Sequence, residues 1–527
     1  MTGSLQVQGV LSMSLLDPYS GPWTKAEVAH LTRRTTFGAR PDKVGELVTG
    51  GVSAAVDSIL DYPPEDAALE QQINNLPDSD ADLKRIKSPA TANDLEGWWL
   101  YRFANSNAPM QQQLALFLHD HFVSEYSKTS ANVSNSSRFG NDGSVSGQSC
   151  NLGAAGLPPD DGRRTRIALR LLRDQHYILL TQGHQNLRDT LIAITRDPCM
   201  LIYLDNRLNV KGKPQENYAR EIMELFSMGV GNYTEEDVRN VARAFTGETI
   251  RVDCKYNWPY TYLFDPNKHD TGNDKKIFGV TLTPSGTTSD DTVKVIDLIL
   301  ARVSKNPAAP AYSVYPATAV YICWKLVNWF VNQNVGLDHP IVGELANYFY
   351  NGPFRYNVRE LLRKLLKSQY FYDSSNRLNF YKHPVDFVAT AWRNLGINDP
   401  QYAAKAYSSL RDMGMRLFEP PTVEGWHHGK AWINSSNLIA RFNYADRLSS
   451  TTVLPNSAID PLMPMLEGQI IDYFADRLLL EPVTPDERAV FMSMFSRITV
   501  SDTQETFRRR FRAALHLTMT MPRYQLK

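Results

Sequence analysis

Glu221 and Glu224 stand three residues apart in the stretch Gly212-Lys-Pro-Gln-Glu-Asn-Tyr-Ala-Arg-Glu-Ile-Met-Glu-Leu-Phe226, with Arg220 beside them and Glu216 and Asn217 just upstream. On a helix, residues at i and i+3 share a face. Two carboxylates held together there either divide acid and base work, as in glycoside cleavage, or grip a divalent cation. Like charges so close destabilise the helix unless neutralised. The plainer reading is therefore a structural network in which Arg220, Arg239 or Arg243 supplies the counter-charge.

Other polar clusters extend this list. His119-Asp120-His121 closes an apolar run and is followed by Ser124 and Glu125. Histidines at i and i+2 diverge on a regular helix and converge only where it ends or loosens. With Glu221 as a third ligand, His119 and His121 would hold a divalent metal. The plainer reading has one histidine capping a helix end and the other packed inside. His269-Asp270 lies in a polar turn after Asp265-Pro-Asn-Lys268. Scaffolded loops often carry sites, although a rigid Asx-type turn explains the same residues. Glu221, Glu224, His121, His269 and Asp270 form the candidate catalytic set.

Lys382 and His383 precede Pro384, whose place is the first turn of a helix; together Asn217, Arg220 and Lys382 would suit an anionic or polyhydroxy ligand. Trp426 and Trp432 would stack on a sugar face, with Asn434 donating hydrogen bonds and Arg441 reaching the same region. A tryptophan in a glycine-bounded loop is equally a core plug. The chain has no G-x-S-x-G elbow, no phosphate-loop motif, no H-E-x-x-H and no dinucleotide fingerprint, which disfavours those enzyme classes.

The elements that must carry these residues are helical. Thr24 with Glu27 and Thr234 with Asp237 read as capping boxes. Pro41 and Pro109 sit in first turns, and apolar spacing predicts helices through most of the chain. Residues 61–92, with two proline-rich breaks, read as a linker or exposed arm. Residues 248–290 lose the helical period, and their aromatic residues suggest a small β-hairpin insertion around 248–285. The expected architecture is all-α with that insertion. Its organisation is an N-terminal helical region (1–126), a long Ser/Asn/Gly-rich loop (127–161), a central helical region (162–247), the β insertion (248–290) and a C-terminal helical region (291–527).

At 527 residues the chain exceeds the roughly 250–300 at which single cores stop growing, so subdomains or one interleaved helical body are expected. Lys plus Arg equal Asp plus Glu, 56 each. Zero net charge argues against a broad nucleic-acid surface. No apolar run is long enough for a transmembrane helix, and no leader is visible at Val10–Leu16. The four cysteines lack C-x-x-C spacing; Cys199, Cys254 and Cys323 read as buried thiols or disulfide partners, and Cys150 as the reactive or bridging candidate in a polar loop.

Taken in order, several segments resemble the bacterial DUF1800 family. They are His30-Leu-Thr-Arg-Arg-Thr-Thr-Phe-Gly38, Leu116-Phe-Leu-His-Asp-His-Phe-Val123, Arg196-Asp-Pro-Cys-Met200, Tyr203-Leu-Asp205, the Gly212–Phe226 stretch and Gly231-Asn-Tyr-Thr-Glu235. His269-Asp270, Lys382-His-Pro384, Phe418-Glu-Pro-Pro421 and Gly425-Trp426 through Arg441 complete the set. The chain departs from the family pattern at Leu118, Asp120 and Glu248. The resemblance implies a largely helical, often exported protein, periplasmic or secreted, commonly encoded beside DUF1501, a sulfatase- or phosphatase-like exported family. It supplies no catalytic residues. The resulting expectation is an exported enzyme acting on a polysaccharide or other polar surface substrate. The alternatives are a glycan-binding or assembly protein working with a DUF1501-like partner, and a metal-dependent hydrolase or oxidoreductase.

Overall fold

Capping chemistry sets many of the helix starts in the computed structural model, which describes residues 14–64, 66–133, 160–252, 260–284, 286 and 288–527. Thr24 and Glu27 close a reciprocal box on helix Lys25–Thr35, and Thr234 and Asp237 do the same on Glu235–Ala244. Pro41, Pro109 and Pro384 each open a helix at its first turn, where a missing N–H costs nothing. Helices dominate, and the only strands among the described residues form two antiparallel hairpins. β1 (Glu248–Val252) pairs with β2 (Tyr260–Phe264), Ile250 opposite Tyr262; β3 (Lys275–Ile277) pairs with β4 (Val280–Leu282). The all-α expectation with a β insertion stands, with two hairpins in place of one.

Two boundaries need correction. Residues 61–92 are not an arm: they contain helices Ala67–Asn74 and Ala81–Lys87, each capped by an aspartate and each seating one isoleucine, Ile73 or Ile86, in the core. Their prolines mark helix boundaries. The supposed loop 127–161 begins as helix Tyr126–Asn132, and helix Asp160–Thr181 starts before its end. Its middle, with Cys150, lies outside the described residues, as does Cys254. Cys199 and Cys323 are buried free thiols.

One apolar core runs from Leu16 to Tyr524 through helices of all the expected regions; the interleaved helical body is the form this length takes. Helix Pro400–Asp412 packs on Ala92–Asn105, and Ala317–Phe330 on Pro340–Asn351. Helix Ala317–Phe330 also packs against the segment that ends the Glu221 helix, and this contact fixes the place of both glutamates.

Candidate functional site

The Glu221 helix runs from Glu216 to Met223 and then changes its winding: Glu224–Met228 is a π turn, ended by Gly229 in the left-handed region at φ 75°. Such single π turns are uncommon and recur at functional sites. Here the turn leaves the Phe226 carbonyl free to accept from His121 Nε2 at 3.0 Å. A carbonyl only accepts, so Nε2 carries the proton.

Glu221 and Glu224 both lie half-buried at this junction, but they are treated differently. Glu224 accepts a hydrogen bond from the Tyr233 hydroxyl. Glu221 has no hydrogen bond or ion pair among the described residues. Burial, followed by the nearby Glu224 carboxylate, raises its proton affinity above the ordinary range; Glu424 adds to this, while Arg220 and Lys128 oppose it. Arg220 does not neutralise the pair. It makes a two-pronged bond to Glu235, 2.8 Å on each prong, and a 3.5 Å contact with Glu216. The arginine-sealed network expected as the plainer reading is absent at Glu221. Arg243 is engaged elsewhere, with Asp270.

Several further acids, tyrosines and Lys325 interact electrostatically with or near the two glutamates, a set we call the strip. Burial raises the Tyr203 hydroxyl's proton affinity, and the Glu125, Glu221 and Glu419 carboxylates add to it. Tyr321 is raised by burial and by Glu224 and Glu424. Lys325 is lowered by burial, with Asp120 and Glu424 pulling the other way. Lys325 has no ion pair or hydrogen bond among the described residues; its ammonium sits 5.6 Å from the Tyr321 ring centre and 5.8 Å from that of Trp324. Glu125, Glu419, Glu424, Tyr203, Tyr233, Tyr321 and Lys325 were missed as site residues. Lys325 left a readable signal, being the single charge in the apolar helix Ala317–Phe330. Glu419 and Glu424 sit within or beside motif segments already marked.

Asp120 ties this strip to the Gly425-Trp426 loop. Its Oδ1 accepts from the Trp426 N–H at 2.7 Å, and its Oδ2 lies 3.3 Å from His428 Nε2. Gly425 is at φ 102°, and a Cβ there would stand 2.3 Å from Asp120 Oδ1. Only glycine admits that approach. Asp120 thus clamps the loop.

The remaining candidates are not gathered here. His119 packs in a box of Trp99, Phe418 and Trp426 rings; burial alone lowers its pKa to about 3. His121 stacks among Phe117, Phe122 and Phe226, and burial, then Lys325, lowers it likewise to about 3. The divergence expected at i and i+2 holds. No three His, Cys, Asp or Glu side chains among the described residues form a group fit to hold a metal; the set His119, His121 and Glu221 is not brought together.

His269 is fully buried beyond β2, its Nδ1 2.7 Å from the Thr246 carbonyl and its Nε2 3.2 Å from Asp291. Lys275 reaches the same carboxylate at 3.4 Å. Asp270 accepts from Arg243 Nε at 2.7 Å and from the Gly272 N–H at 2.9 Å, which is the rigid Asx-type turn. Glu248 is buried and receives the Thr292 hydroxyl.

The ligand-binding candidates need the largest correction. Trp426 and Trp432 are only 5 % and 2 % exposed and cannot stack on a sugar; they are core plugs. Trp426 Nε1 donates to the Arg416 carbonyl at 3.1 Å. Asn434 caps helix Ser435–Ser449. Arg441 is buried and donates to the Lys382 carbonyl at 2.7 Å. Lys382 itself is 3 % exposed, its ammonium 3.6 Å from the Tyr524 ring centre. His383 is buried 3.4 Å from Asp386, which Lys527 and Gln113 also contact, at 2.5 and 2.8 Å. Of these candidates Asn217 and the capping Asn434 are exposed, and Arg220 is half-buried.

Searches of curated proteins and of solved structures return no match. No described helix is long and apolar enough to cross a membrane. The family model described as protein of unknown function (DUF1800) matches residues 30–138 and 163–526, nearly the whole chain, and the protein belongs to that family.

Proposed function

We propose that this protein is an extracytoplasmic hydrolase acting on a glycosidic bond of a polar, polyhydroxy substrate, with Glu221 as the proton donor. The observation that carries this reading is the state of Glu221: half-buried, without a direct partner among the described residues, and holding its proton more tightly than an ordinary glutamate. A general acid needs both properties, a raised proton affinity and a carboxyl left unoccupied for substrate. Glu221 gives its proton to the leaving oxygen as the glycosidic bond breaks. Glu224, fixed by Tyr233, takes a proton from the attacking water, so that water adds across the bond and the two carboxyls exchange roles. The exposed Glu424, and Lys325 with no ion pair among the described residues, would border the place where substrate sits.

The test is release of reducing ends from a panel of bacterial and plant polysaccharides. We expect Glu221→Gln to remove activity at unchanged thermal stability or better, because no direct partner is lost. Equal activity in that variant, or hydrolysis of none of the polymers, sinks the reading. Binding without cleavage would shift the assignment to the glycan-binding alternative, which the buried tryptophans do not favour. Export and a DUF1501-like partner belong to the proposal through the family resemblance alone. Cell fractionation checks the first and co-purification the second.

A further inference from the structure

A separate cleft of about 680 Å³ opens between helices Lys25–Thr35 and Pro41–Leu60, the segment after residue 60, and the ends of helices Ala92–Asn105 and Pro384–Leu395. Its volume falls within the usual range for small-molecule sites. Arg393 and Arg40 both line it. One terminal nitrogen of Arg393 donates to the carbonyls of Phe103, Ala104 and Ser106 at 3.0–3.1 Å. No carboxylate among the described residues lies within 4.0 Å of its guanidinium. Arg40 has only a 4.0 Å contact with Asp42 on an exposed side chain.

Asp42 also lines the cleft and has no other ion pair among the described residues; the other three acids have firmer partners. Lys43 holds Glu46 at 2.8 Å, and Arg363 holds Asp61 at 2.6 Å. Asp66 accepts from the Leu69 N–H, the Ser106 hydroxyl and the Asn107 N–H. The cations of the cleft without a carboxylate at hydrogen-bond distance are therefore the two arginines. The cleft also carries Asn105, whose amide nitrogen bonds the Tyr101 carbonyl and leaves its oxygen available, and exposed Asn398. Amides both donate and accept, which suits hydroxyl groups. Guanidinium forks suit a carboxylate or a phosphate. The acids around the arginines repel a doubly charged phosphate more than a singly charged carboxylate.

We infer that this cleft binds a uronate sugar unit, with Arg393 and Arg40 on the carboxylate and the amides of Asn105 and Asn398 on the hydroxyls. The inference stands apart from Glu221 and its chemistry. It makes the cleft an anchoring site for an acidic polymer, distinct from the place of cleavage.

The test is calorimetric titration of the full chain with digalacturonate, with the neutral disaccharide cellobiose and with inorganic phosphate. Digalacturonate should bind about tenfold or more tighter than cellobiose, the scale of one charge-assisted fork. Arg40→Gln, which removes no buried contact, should weaken digalacturonate at least several-fold and leave cellobiose unchanged. Arg393→Lys should weaken it too, provided its melting curve shows a retained fold. Glu221→Gln should bind like the native protein. Equal affinity for the charged and neutral sugars, tighter binding of phosphate, or an unaffected Arg40→Gln would each overturn the inference. So would loss of binding in Glu221→Gln alone, which would place the sugar at the glutamate strip.

Discussion

The Glu221 strip and the His269 knot are built from the same residue types and end in opposite states. At His269, both ring nitrogens face oxygen acceptors, Lys275 joins the shared carboxylate, and the group is sealed from water. At Glu221 the arginine beside it turns away to Glu235, and a carboxyl is left half-buried without a hydrogen bond or ion pair among the described residues, the like charges of Glu224 and Glu424 opposed only from a distance by Arg220 and Lys128. Buried charge persists in a fold when it is paired and hydrogen-bonded. Charge left unpaired at a partly open position lowers stability, and this is the pattern expected where a site needs the group. Residue type did not separate the two regions; pairing did.

The sharpest way to break this contrast is Asp291→Ala. It leaves Lys275 and His269 without their common carboxylate inside the protein. Truncating one side of a buried ion pair typically costs about 3–5 kcal/mol, and denaturant unfolding should show a loss on that scale. A change below about 1 kcal/mol would mean that the knot is held by its backbone contacts and that the comparison is wrong.

The buried histidines give the next largest effect, through acid. His119 and His121 are held neutral, with pKa lowered to about 3 from 6.5 by burial. A group lowered in the fold contributes stability that is complete above 6.5 and is lost as pH falls toward 3. Unfolding should therefore begin well above the carboxylate range. His119→Phe should reduce the pH 4 to pH 7 difference in stability, by an amount on the order of a few kcal/mol. The box of Trp99, Phe418 and Trp426 accepts another ring, and His119 Nε2 has no partner there to lose. An unchanged acid profile in that variant would show that other groups govern acid unfolding.

Much of this division was legible in the sequence, and the illegible part has one cause. Capping boxes at Thr24 and Thr234, first-turn prolines and the break at 248 are local signals, and the structure keeps all of them. The shared face of Glu221 and Glu224 is also local. What decides whether a polar side chain is a site or a strut lies far along the chain. His269 is closed by Asp291, Lys382 by Tyr524, and Asp120 by Trp426 and His428. Residues 61–92 misled for a related reason. Their short helices bury so little that prolines and charges outweigh the apolar spacing, and helices of that length depend on tertiary packing.

Two smaller effects test the open side. Glu221 is raised, so its ionised form is disfavoured by the fold. Stability from this group is complete below its ordinary pKa near 4.5 and declines as pH rises through the raised value. Glu221→Gln should then match the native protein near pH 4 and exceed it at pH 7. Solvent screening at a half-exposed position holds the gain to below about 1 kcal/mol. Thermal melts at the two pH values measure it. A loss of stability at pH 7 would mean that Glu221 has a structural partner after all.

Arg220→Gln is the mildest change and the most discriminating about the direction of that arginine. It removes the fork to Glu235 and the contact with Glu216, both at the surface, where ion pairs are screened and hold long side chains at an entropic cost. The melting midpoint should stay within error of the native one at physiological salt. The Glu221 carboxyl should respond more clearly, because Arg220 opposes its upward shift from a distance. Titration of a carboxyl-labelled sample by NMR should place Glu221 slightly higher in the variant. A large drop in stability would reveal Arg220 as the strip's structural counter-ion. A fall in the Glu221 value would mean that the acid's environment is set by contacts other than these charges.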